Sequence, residues 1–220
     1  MGTLYIVATP IGNLEDITLR ALRVLKEADV ILCEDTRVTT KLLSHFGIGK
    51  PLISYHQHSR LQKTEQILQL LREGKNLALV SDAGTPGISD PGNELVAEVA
   101  QKLPEASIVP MPGASALTAL ASIAGFSMDR FLFLGFPPAK KGRKTFFEKV
   151  AASEYPAVLY ESPYRIIKTL AGFQADARVV VGRELTKKFE TIYRGSVAEV
   201  LGQLKKETPR GEFVVIVSRQ

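Results

Sequence analysis

The eleven residues 82–92 form the densest group of residue types suited to ligand binding. Three glycines, two prolines and two aspartates follow directly after a short apolar run. Glycine allows positive φ and lets a ligand approach the backbone, while proline stiffens the path of the chain. Asp90 followed by Pro91 indicates an N-cap and a first helical turn, so the amides of the next helix would point toward this glycine-rich loop. The loop predicts a ligand site, with a rigid structural turn as the alternative.

A second polar group, the acidic turn of residues 34–37, also follows an apolar run. It places Glu34 and Asp35 side by side, with Arg37 two residues further on. Such a group could position a hydroxyl or a ribose, or accept a proton as a general base. Alternatively, Asp35 or Thr36 only caps the following helix and Arg37 pairs with an acid. Glu34, Asp35 and Arg37 are therefore candidate catalytic residues, with helix capping and ion pairing as the alternative.

The third group is a basic loop, residues 137–144, with four positive charges in eight residues. Contacts to a phosphate backbone need cations more than a fixed shape, so the loop is suited to a polyanion. A solvated surface loop would carry the same charge. Residues 161–165 and 183–188 add further polar and cationic groups after other apolar runs. The residues predicted to contact the polyanion are Lys140, Lys141, Arg143 and Lys144.

The distribution of charge supports the same interpretation. The chain of 220 residues has 28 Lys and Arg against 23 Asp and Glu, a net charge of +5. Residues 1–110 contain 11 basic and 13 acidic residues, whereas residues 111–220 contain 17 and 10, so the net charges are −2 and +7. A polyanionic partner is therefore expected to meet the second half, although a basic surface can also serve solubility alone.

Missing motifs argue against several classes of protein, including nucleotide-dependent enzymes. The sequence has neither a phosphate-binding G-x-x-x-x-G-K-[ST] loop nor a G-x-G-x-x-G turn after its first apolar run, and it lacks G-x-S-x-G and H-E-x-x-H. His45, His56 and His58 have no partners at metal-binding spacing, except that His56 and His58 would share one strand face. No metal is expected.

The single cysteine, Cys33, excludes an intrachain disulfide, so a secreted disulfide scaffold is excluded and the cytoplasm is the expected location. The first residues resemble no targeting signal. No stretch approaches the roughly 20 apolar residues of a membrane span, so no membrane partner is expected.

Apolar runs and amphipathic segments alternate through the first half of the chain. Runs rich in Val, Ile and Leu predict strands at residues 4–8, 30–33, 52–55, 77–81 and 108–111. Apolar residues at three- and four-residue steps predict helices at residues 19–28, 36–46, 61–72 and 93–102. Regular alternation implies a parallel sheet covered on both faces, with ligands at the carboxyl ends of the strands. The glycine-rich loop and the acidic turn lie at such ends.

The pattern changes after a predicted helix at residues 115–124. Further strands are predicted at residues 131–136, 157–161, 179–184, 191–193 and 213–218. Residues 185–190 are too few for a crossover helix, so the two strands they connect are expected to be antiparallel. The fold class is α/β, with a parallel-sheet domain at residues 1–115 and a mixed-sheet domain at residues 116–220.

The order of motifs along the chain resembles one protein family. The motifs are YIVATPIGNLEDIT, CEDTR, VSDAGTPGISDPG, MPGASA, LGFPP with the basic loop, YESPYR, GRELTKKFE and GEFVVIV. They resemble those of the ribosomal RNA small subunit methyltransferase I family, the bacterial 16S rRNA cytidine 2′-O-methyltransferases of the tetrapyrrole methylase superfamily. The resemblance spans nearly the whole chain.

This resemblance implies a two-domain, usually dimeric methyltransferase that holds S-adenosyl-L-methionine in the cleft between its domains. The implied substrate is the 2′-hydroxyl of a cytidine in the decoding region of the small ribosomal subunit. The family commonly continues into a small C-terminal helical domain, whereas this sequence stops at Gln220. Carried over by position, the donor-binding residues are Pro10, Asp82, Ala83, Gly84, Thr85, Ser115, Ala116, Tyr160 and Gly211.

Other functions remain open at this point. A methyltransferase of the same fold could act on a tetrapyrrole or on a modified protein residue, although the basic second half favours a polyanion. A non-catalytic RNA-binding module is a further alternative, against which the intact glycine-rich loop argues. Glu161 and Glu184, also at strand ends, are additional candidates for a general base beside the acidic turn.

Overall fold

Five short strands of the first half pair side by side in one parallel sheet. The computed structural model describes residues 1–55, 60–90, 92–206 and 208–219. The sheet has the order β3-β2-β4-β1-β5, and all of its pairs are parallel. Its strands are β1 (Thr3–Val7), β2 (Val30–Cys33), β3 (Leu52–Ser54), β4 (Leu77–Val80) and β5 (Ser107–Met111).

Four helices cover the two faces of this sheet. Residues of α1 and α2 pack with Val7 and Ile31 on one face, and residues of α3 and α4 pack with Leu4 and Leu79 on the other. Both faces are buried, which explains why the strands are continuous apolar runs rather than alternating ones. The helices are α1 (Leu19–Glu27), α2 (Thr36–His45), α3 (Arg60–Arg72) and α4 (Gly92–Lys102), and a short 3₁₀ turn (Leu14–Asp16) precedes α1.

The second half forms a separate mixed sheet. Its order is β6-β7-β10-β8-β9, in which β6 and β7 are parallel and the other pairs are antiparallel. The chain thereby divides into a first unit, Met1–Ser115, and a second unit, Ala116–Gln220. The strands are β6 (Leu132–Phe133), β7 (Ala157–Glu161), β8 (Arg178–Arg183), β9 (Thr191–Ser196) and β10 (Phe213–Ser218).

Residues of three helices of the second unit pack against one face of its sheet. Val197, Val200 and Leu204 of one helix pack with Leu159 and Val215 of the strands in a single apolar cluster. A capping box fixes the start of that helix, because Ser196 and Glu199 each accept a backbone N–H from the other residue. The helices are α5 (Ala116–Ser122), α6 (Arg143–Ala152), α7 (Ile166–Leu170) and α8 (Val197–Leu204).

The predicted fold class is confirmed, as is the antiparallel pairing of β8 with β9, but some bounds differ. The strand predicted at 131–136 is only Leu132–Phe133, because Gly135 takes a positive φ of 59° and ends the extended segment. In contrast, β9 runs to Ser196, since its last residues pair with the start of β8. The helices α6, α7 and α8 were not predicted from the sequence. In the described parts of the chain no helix has both the length and the apolar character needed to cross a membrane.

Candidate functional site

The parallel sheet brings several loops of the first unit to one edge. Val7, Cys33, Val80 and Met111 are the last residues of four strands that run in the same direction. The loops that follow them therefore share the carboxyl edge of the sheet, where ligands of such sheets bind. These loops include the acidic turn and the glycine-rich loop, as the sequence predicted.

The glycine-rich loop is bonded to the loop after β1. Thr9 and Gly84 form an isolated antiparallel bridge, with N···O distances of 2.9 and 3.1 Å. The buried hydroxyl of Thr9 donates to the Ser81 carbonyl at 3.1 Å, and the Ser81 hydroxyl donates to the Gly84 carbonyl at 3.1 Å. These bonds hold residues 81–84 against the end of β1, so the backbone of the loop is fixed before any ligand arrives.

The same loop is also bonded to the loop after β5. The Thr85 hydroxyl donates to the Ala114 carbonyl at 3.2 Å. Gly84 has a φ of 81°, and a Cβ placed there would lie 3.3 Å from Cγ2 of Ile11 and 3.6 Å from the Ala114 oxygen. Glycine is required at this position because the backbone is left-handed and three loops meet there.

Asp90 shapes the far end of the loop, as the sequence predicted. Its Oδ1 accepts the backbone N–H groups of Gly87 and Gly92, at 2.7 and 2.8 Å. The second of these bonds satisfies an amide at the start of α4. Asn93 closes the turn by donating from Nδ2 to the Gly87 carbonyl at 2.6 Å. The part of the prediction that concerned Pro91 lies outside the described residues.

Three charged side chains meet between the acidic turn and the glycine-rich loop. The Asp82 carboxylate accepts the Asp35 backbone N–H at 3.1 Å. Asp35 caps α2 by accepting the Arg37 N–H at 2.8 Å, and its carboxylate also pairs with the Arg37 guanidinium, with Nη2···Oδ2 at 2.6 Å. Both features proposed as the structural alternative for Asp35 and Arg37 are therefore present.

These contacts shift the pKa values of Asp35 and Asp82 in opposite directions. Hydrogen bonds from the Arg37 side chain and backbone lower the pKa of Asp35 to about 2. In contrast, the pKa of Asp82 is raised, mainly because its carboxylate is partly withdrawn from water and additionally because the Asp35 carboxylate is nearby. Two adjacent acids at one sheet edge thus differ in proton affinity. Glu34, the remaining acid of the turn, is exposed at the carboxyl end of β2.

The predicted donor-binding residues fall into two groups. Asp82, Ala83, Gly84 and Thr85 lie together at the carboxyl edge of the first sheet, with the buried Pro10 in the loop after β1. Ser115 and Ala116 are the last residue of the first unit and the first residue of the second.

Tyr160 and Gly211 lie in the second unit, at one end of its sheet. Tyr160 is the penultimate residue of β7. Gly211 lies two residues before β10, and Phe213, the first residue of β10, pairs with Glu161 and Arg183. The Tyr160 ring contacts Phe133 and Phe136 edge-on, with centroids 5.0 and 5.7 Å apart. We refer to this end of the second sheet as the Tyr160 end.

The loop after β8 at the Tyr160 end is strained and polar. Glu184 and Thr186 have positive φ values of 51° and 66°, which residues other than glycine rarely adopt. Glu184 accepts both the Glu212 N–H and the Lys187 ammonium at 2.9 Å. The Thr186 hydroxyl is buried, and no hydrogen-bond partner for it exists among the described residues. Strained backbone that persists in a folded protein tends to occur at functional sites.

A buried carboxylate, Glu161, organises the loops on the other side of β10. Its side chain is fully buried, and it accepts the Ser162 N–H at 2.7 Å, the Thr169 hydroxyl at 2.5 Å and Nη2 of Arg165 at 2.8 Å. With its charge paired and its oxygens occupied, Glu161 is a structural group. This environment argues against the role of general base considered for it.

Arg143 of the basic loop joins the same network. Its guanidinium donates to the Thr169 hydroxyl and to the Pro138 carbonyl, both at 3.0 Å. Lys140, Lys141 and Lys144 are exposed, with Lys144 at 3.7 Å from Glu148. Of the four residues predicted to contact a polyanion, three therefore point their charge to solvent, while the half-buried Arg143 anchors the loop.

Sequence reasoning missed the residues that hold these loops in place. Thr9 bonds to backbone 72 positions away and Thr169 to a buried carboxylate eight positions away, and no local motif marks such bonds. The capping box at Ser196 was a detectable signal. Among the described residues no group of three or more His, Cys, Asp or Glu could hold a metal ion. The predicted strand-face pair His56 and His58 lies outside the described residues.

Comparison with known proteins adds independent information. Residues 3–201 match the family described as Tetrapyrrole (Corrin/Porphyrin) Methylases. A protein of Synechocystis sp. named Ribosomal RNA small subunit methyltransferase I is 46% identical over 223 residues, covering 99% of this chain and 79% of that protein. A Thermotoga maritima protein of the same name is 44% identical over 221 residues, covering 99% of each. The crystal structure of a diphthine synthase is similar with a TM-score of 0.76 at 15% identity, covering 99% of this chain and 90% of that one, which bears on fold alone.

Proposed function

The chain belongs to the tetrapyrrole methylase family and, within it, to the ribosomal RNA small subunit methyltransferase I proteins, and from this premise we propose that it is an S-adenosyl-L-methionine-dependent methyltransferase acting on 16S rRNA. The observation that carries the proposal is the glycine-rich loop, fixed at the carboxyl edge of a parallel sheet by the bonds of Thr9, Ser81 and Thr85. We propose further that the product is a 2′-O-methylated cytidine in the decoding region of the small subunit.

Two features of the described residues fit this donor. The acids Glu34, Asp35 and Asp82 lie at the edge of the first sheet, and negative charge suits a donor whose sulfur and amino group are both positively charged. In the second unit, the buried Thr186 hydroxyl has hydrogen-bonding capacity that no described residue uses, as expected of a group that bonds a ligand. The proposed donor contacts are Pro10, Asp82, Ala83, Gly84, Thr85, Ser115, Ala116, Tyr160 and Gly211.

When bound, the donor supplies an electrophilic methyl group on its sulfonium sulfur. A ribose hydroxyl is a weak nucleophile at neutral pH, so the chain must orient it and take up its proton. Within the proposed catalytic group we assign proton acceptance to Glu34. The role of Asp35 is positional, because a carboxylate with a pKa of about 2 accepts a proton poorly at neutral pH. Arg37, whose side chain is 86% exposed, is available for the phosphate beside the target ribose.

RNA contact is assigned to the basic loop. Lys140, Lys141 and Lys144 present exposed charges, and Arg143 contributes by fixing the loop through the Thr169 hydroxyl. Lysine acts on phosphate as a point charge, so these residues would support affinity rather than sequence choice. We also propose that the protein works as a homodimer in the cytoplasm, where its ribosomal substrate is found.

Methylation mapping tests the proposed function. Small ribosomal subunits that lack 2′-O-methylcytidine are incubated with the protein and isotopically labelled donor, and the RNA is digested and mapped by mass spectrometry. We expect one new 2′-O-methylcytidine in the decoding region. Tetrapyrroles and protein acceptors are tested in parallel. Label on either of these and not on rRNA would overturn the proposal in favour of another methyltransferase of this fold.

Two substitutions test the assignment of the acceptor. Glu34→Gln is expected to bind donor normally in a calorimetric titration and to lose most of its methylation rate, because the amide cannot take up a proton. Glu27→Gln is the matched control, since Glu27 is an exposed surface acid at the end of α1. An unchanged rate for Glu34→Gln would remove Glu34 from the role of base. Donor affinity lost in the same variant would place it in the donor site instead.

A further inference from the structure

A groove in the second unit is lined by none of the residues assigned above. It has a volume of about 630 Å³, in the range of sites for small organic ligands. Three arginines and two aromatic rings are prominent in its lining: Arg130, Arg178, Arg219, Phe126 and Tyr155. We call it the arginine groove.

The strand register places the arginine groove at the opposite end of the second sheet from the Tyr160 end. Arg178 is the first residue of β8 and pairs with Ser218, the last residue of β10. Arg219 follows directly, and Tyr155 lies just before β7 begins. Strands of this length separate the two ends by roughly 17–20 Å. A ligand in the groove would therefore lie apart from Tyr160 and Gly211 and would not compete for their positions.

The three arginines have unused hydrogen-bonding capacity. All three are exposed, and none pairs with a carboxylate among the described residues, although Asp129 and Glu154 also line the groove. Asp129 instead accepts the Ser127 hydroxyl at 2.9 Å. A guanidinium carries five N–H donors in a planar fork that matches the oxygens of a phosphate. The groove thus retains a net positive charge directed at whatever enters it.

The aromatic rings add a second kind of contact. The Arg178 guanidinium lies over the Phe126 ring, 5.5 Å from its centroid. Nη1 of Arg130 approaches the Tyr155 hydroxyl at 3.5 Å. Arginine and aromatic side chains in one groove are the combination on which unpaired RNA bases stack while their phosphates are bound. Phosphate recognition alone would need only the cations.

We propose that the arginine groove is a second RNA-binding site, which holds an unpaired nucleotide of the rRNA substrate and its flanking phosphates at the end of the second sheet opposite Tyr160. This proposal rests on the proposed function. It explains why the excess positive charge of residues 111–220 is not confined to the basic loop. Because the groove lies at the opposite end of the second sheet from Tyr160 and Gly211, it contributes to binding of the RNA and leaves the chemical step to other residues.

The test compares two triple variants of the full chain with equal charge change. The groove variant is Arg130→Gln, Arg178→Gln and Arg219→Gln, and the control is Lys149→Gln, Lys168→Gln and Lys205→Gln, three exposed residues outside the groove. Binding of a fluorescent small-subunit rRNA fragment is measured by anisotropy over a range of salt concentrations. The groove variant is expected to lose about tenfold or more in affinity and about 2 to 3 in the slope of log affinity against log salt. The control is expected to change little.

Further readouts separate this proposal from the proposed function. In the groove variant, donor affinity and the rate at saturating RNA are expected to match the wild type, while KM for RNA rises. A Phe126→Leu variant is expected to weaken RNA binding at unchanged salt slope, because it removes stacking and no charge. Equal weakening in the groove variant and the control would overturn the site. If the wild-type protein methylates rRNA and the groove variant binds RNA as tightly as the wild type, the arginine groove is not an RNA site, but the proposed function stands. If the wild-type protein methylates no rRNA, the proposed function is overturned.

Discussion

Replacing Glu161 by glutamine removes one buried charge while nearly preserving the volume of the side chain. In the native network, Oε1 accepts from Ser162 N–H and Arg165, and Oε2 accepts from the Thr169 hydroxyl. An amide keeps one accepting oxygen and places an NH₂ group where the second oxygen was. The Thr169 hydroxyl already accepts from Arg143, so it must reorient to receive this new donor. The substitution therefore weakens at least one charge-assisted bond and leaves Arg165 without a counter-charge.

The expected loss of stability follows from these bonds. A hydrogen bond to a charged group contributes about 1.5–3 kcal/mol. Arg165 is only 30% exposed, so part of the cost of an unpaired charge is added. We expect Glu161→Gln to lower the free energy of unfolding of the second unit by about 3 kcal/mol. Thr169→Val removes the shared hydroxyl at nearly constant shape and should cost about 2 kcal/mol.

Urea unfolding followed by circular dichroism measures these values for the single variants and for the double variant. Because both residues share one bond, the double variant should lose about 1–2 kcal/mol less than the sum of the two. The control is Glu148→Gln, whose exposed carboxylate lies 3.7 Å from Lys144 and whose loss should leave the midpoint unchanged. Additive effects, or a Glu161→Gln midpoint equal to that of the control, would refute the account of a shared buried network.

Three further substitutions test other parts of the structure. Asp35→Asn keeps the helix cap, so the lowering of its Tm relative to the wild type reports the loss of the charge. Because the pKa of Asp35 is lowered from 3.8 to about 2, this Tm difference should be full at neutral pH and should vanish as the pH falls from 3.8 toward 2. A Tm difference that does not change with pH would contradict the pairing with Arg37. Gly211→Ala should lower the free energy of unfolding by about 1–3 kcal/mol, because φ is 82° and the new methyl group would overlap Glu184. The same variant should bind donor more weakly in calorimetry. The control is Gly202→Ala in α8, where the new methyl group meets no atom and the change should be neutral or stabilising. Thr9→Val should cost about 1 kcal/mol in urea unfolding, and no loss would mean that its bond to the end of β4 contributes nothing.

The first unit is more predictable from sequence than the second for a physical reason. A parallel sheet covered on both faces needs uninterrupted apolar strands and amphipathic helices, and both patterns are local. Asp90 was predicted as a cap because capping acts within three residues. In contrast, the bridge between Thr9 and Gly84 joins residues 75 positions apart, and nothing in either segment alone specifies the other.

Two elements of the second unit, α7 and β6, were hard to predict because each is very short. The five residues of α7 are too few to show a helical period, and Ile166, Thr169 and Leu170 are buried by contacts made elsewhere in the unit. Similarly, β6 contains two residues, and its end is set by the backbone conformation of Gly135. A sequence shows that Gly135 can adopt positive φ but not that it does so.

The structure separates the roles of basic residues that the sequence presents as equivalent. A count of basic residues treats Arg143 and Lys140 as equivalent members of one loop. The Arg143 guanidinium donates hydrogen bonds to the Thr169 hydroxyl and the Pro138 carbonyl, whereas Lys140 is exposed. Neutralising Arg143 would therefore lower stability and RNA affinity together, whereas neutralising Lys140 would lower affinity alone. RNA-binding losses in this loop can be assigned to phosphate contact only when the same variant unfolds at the wild-type urea midpoint.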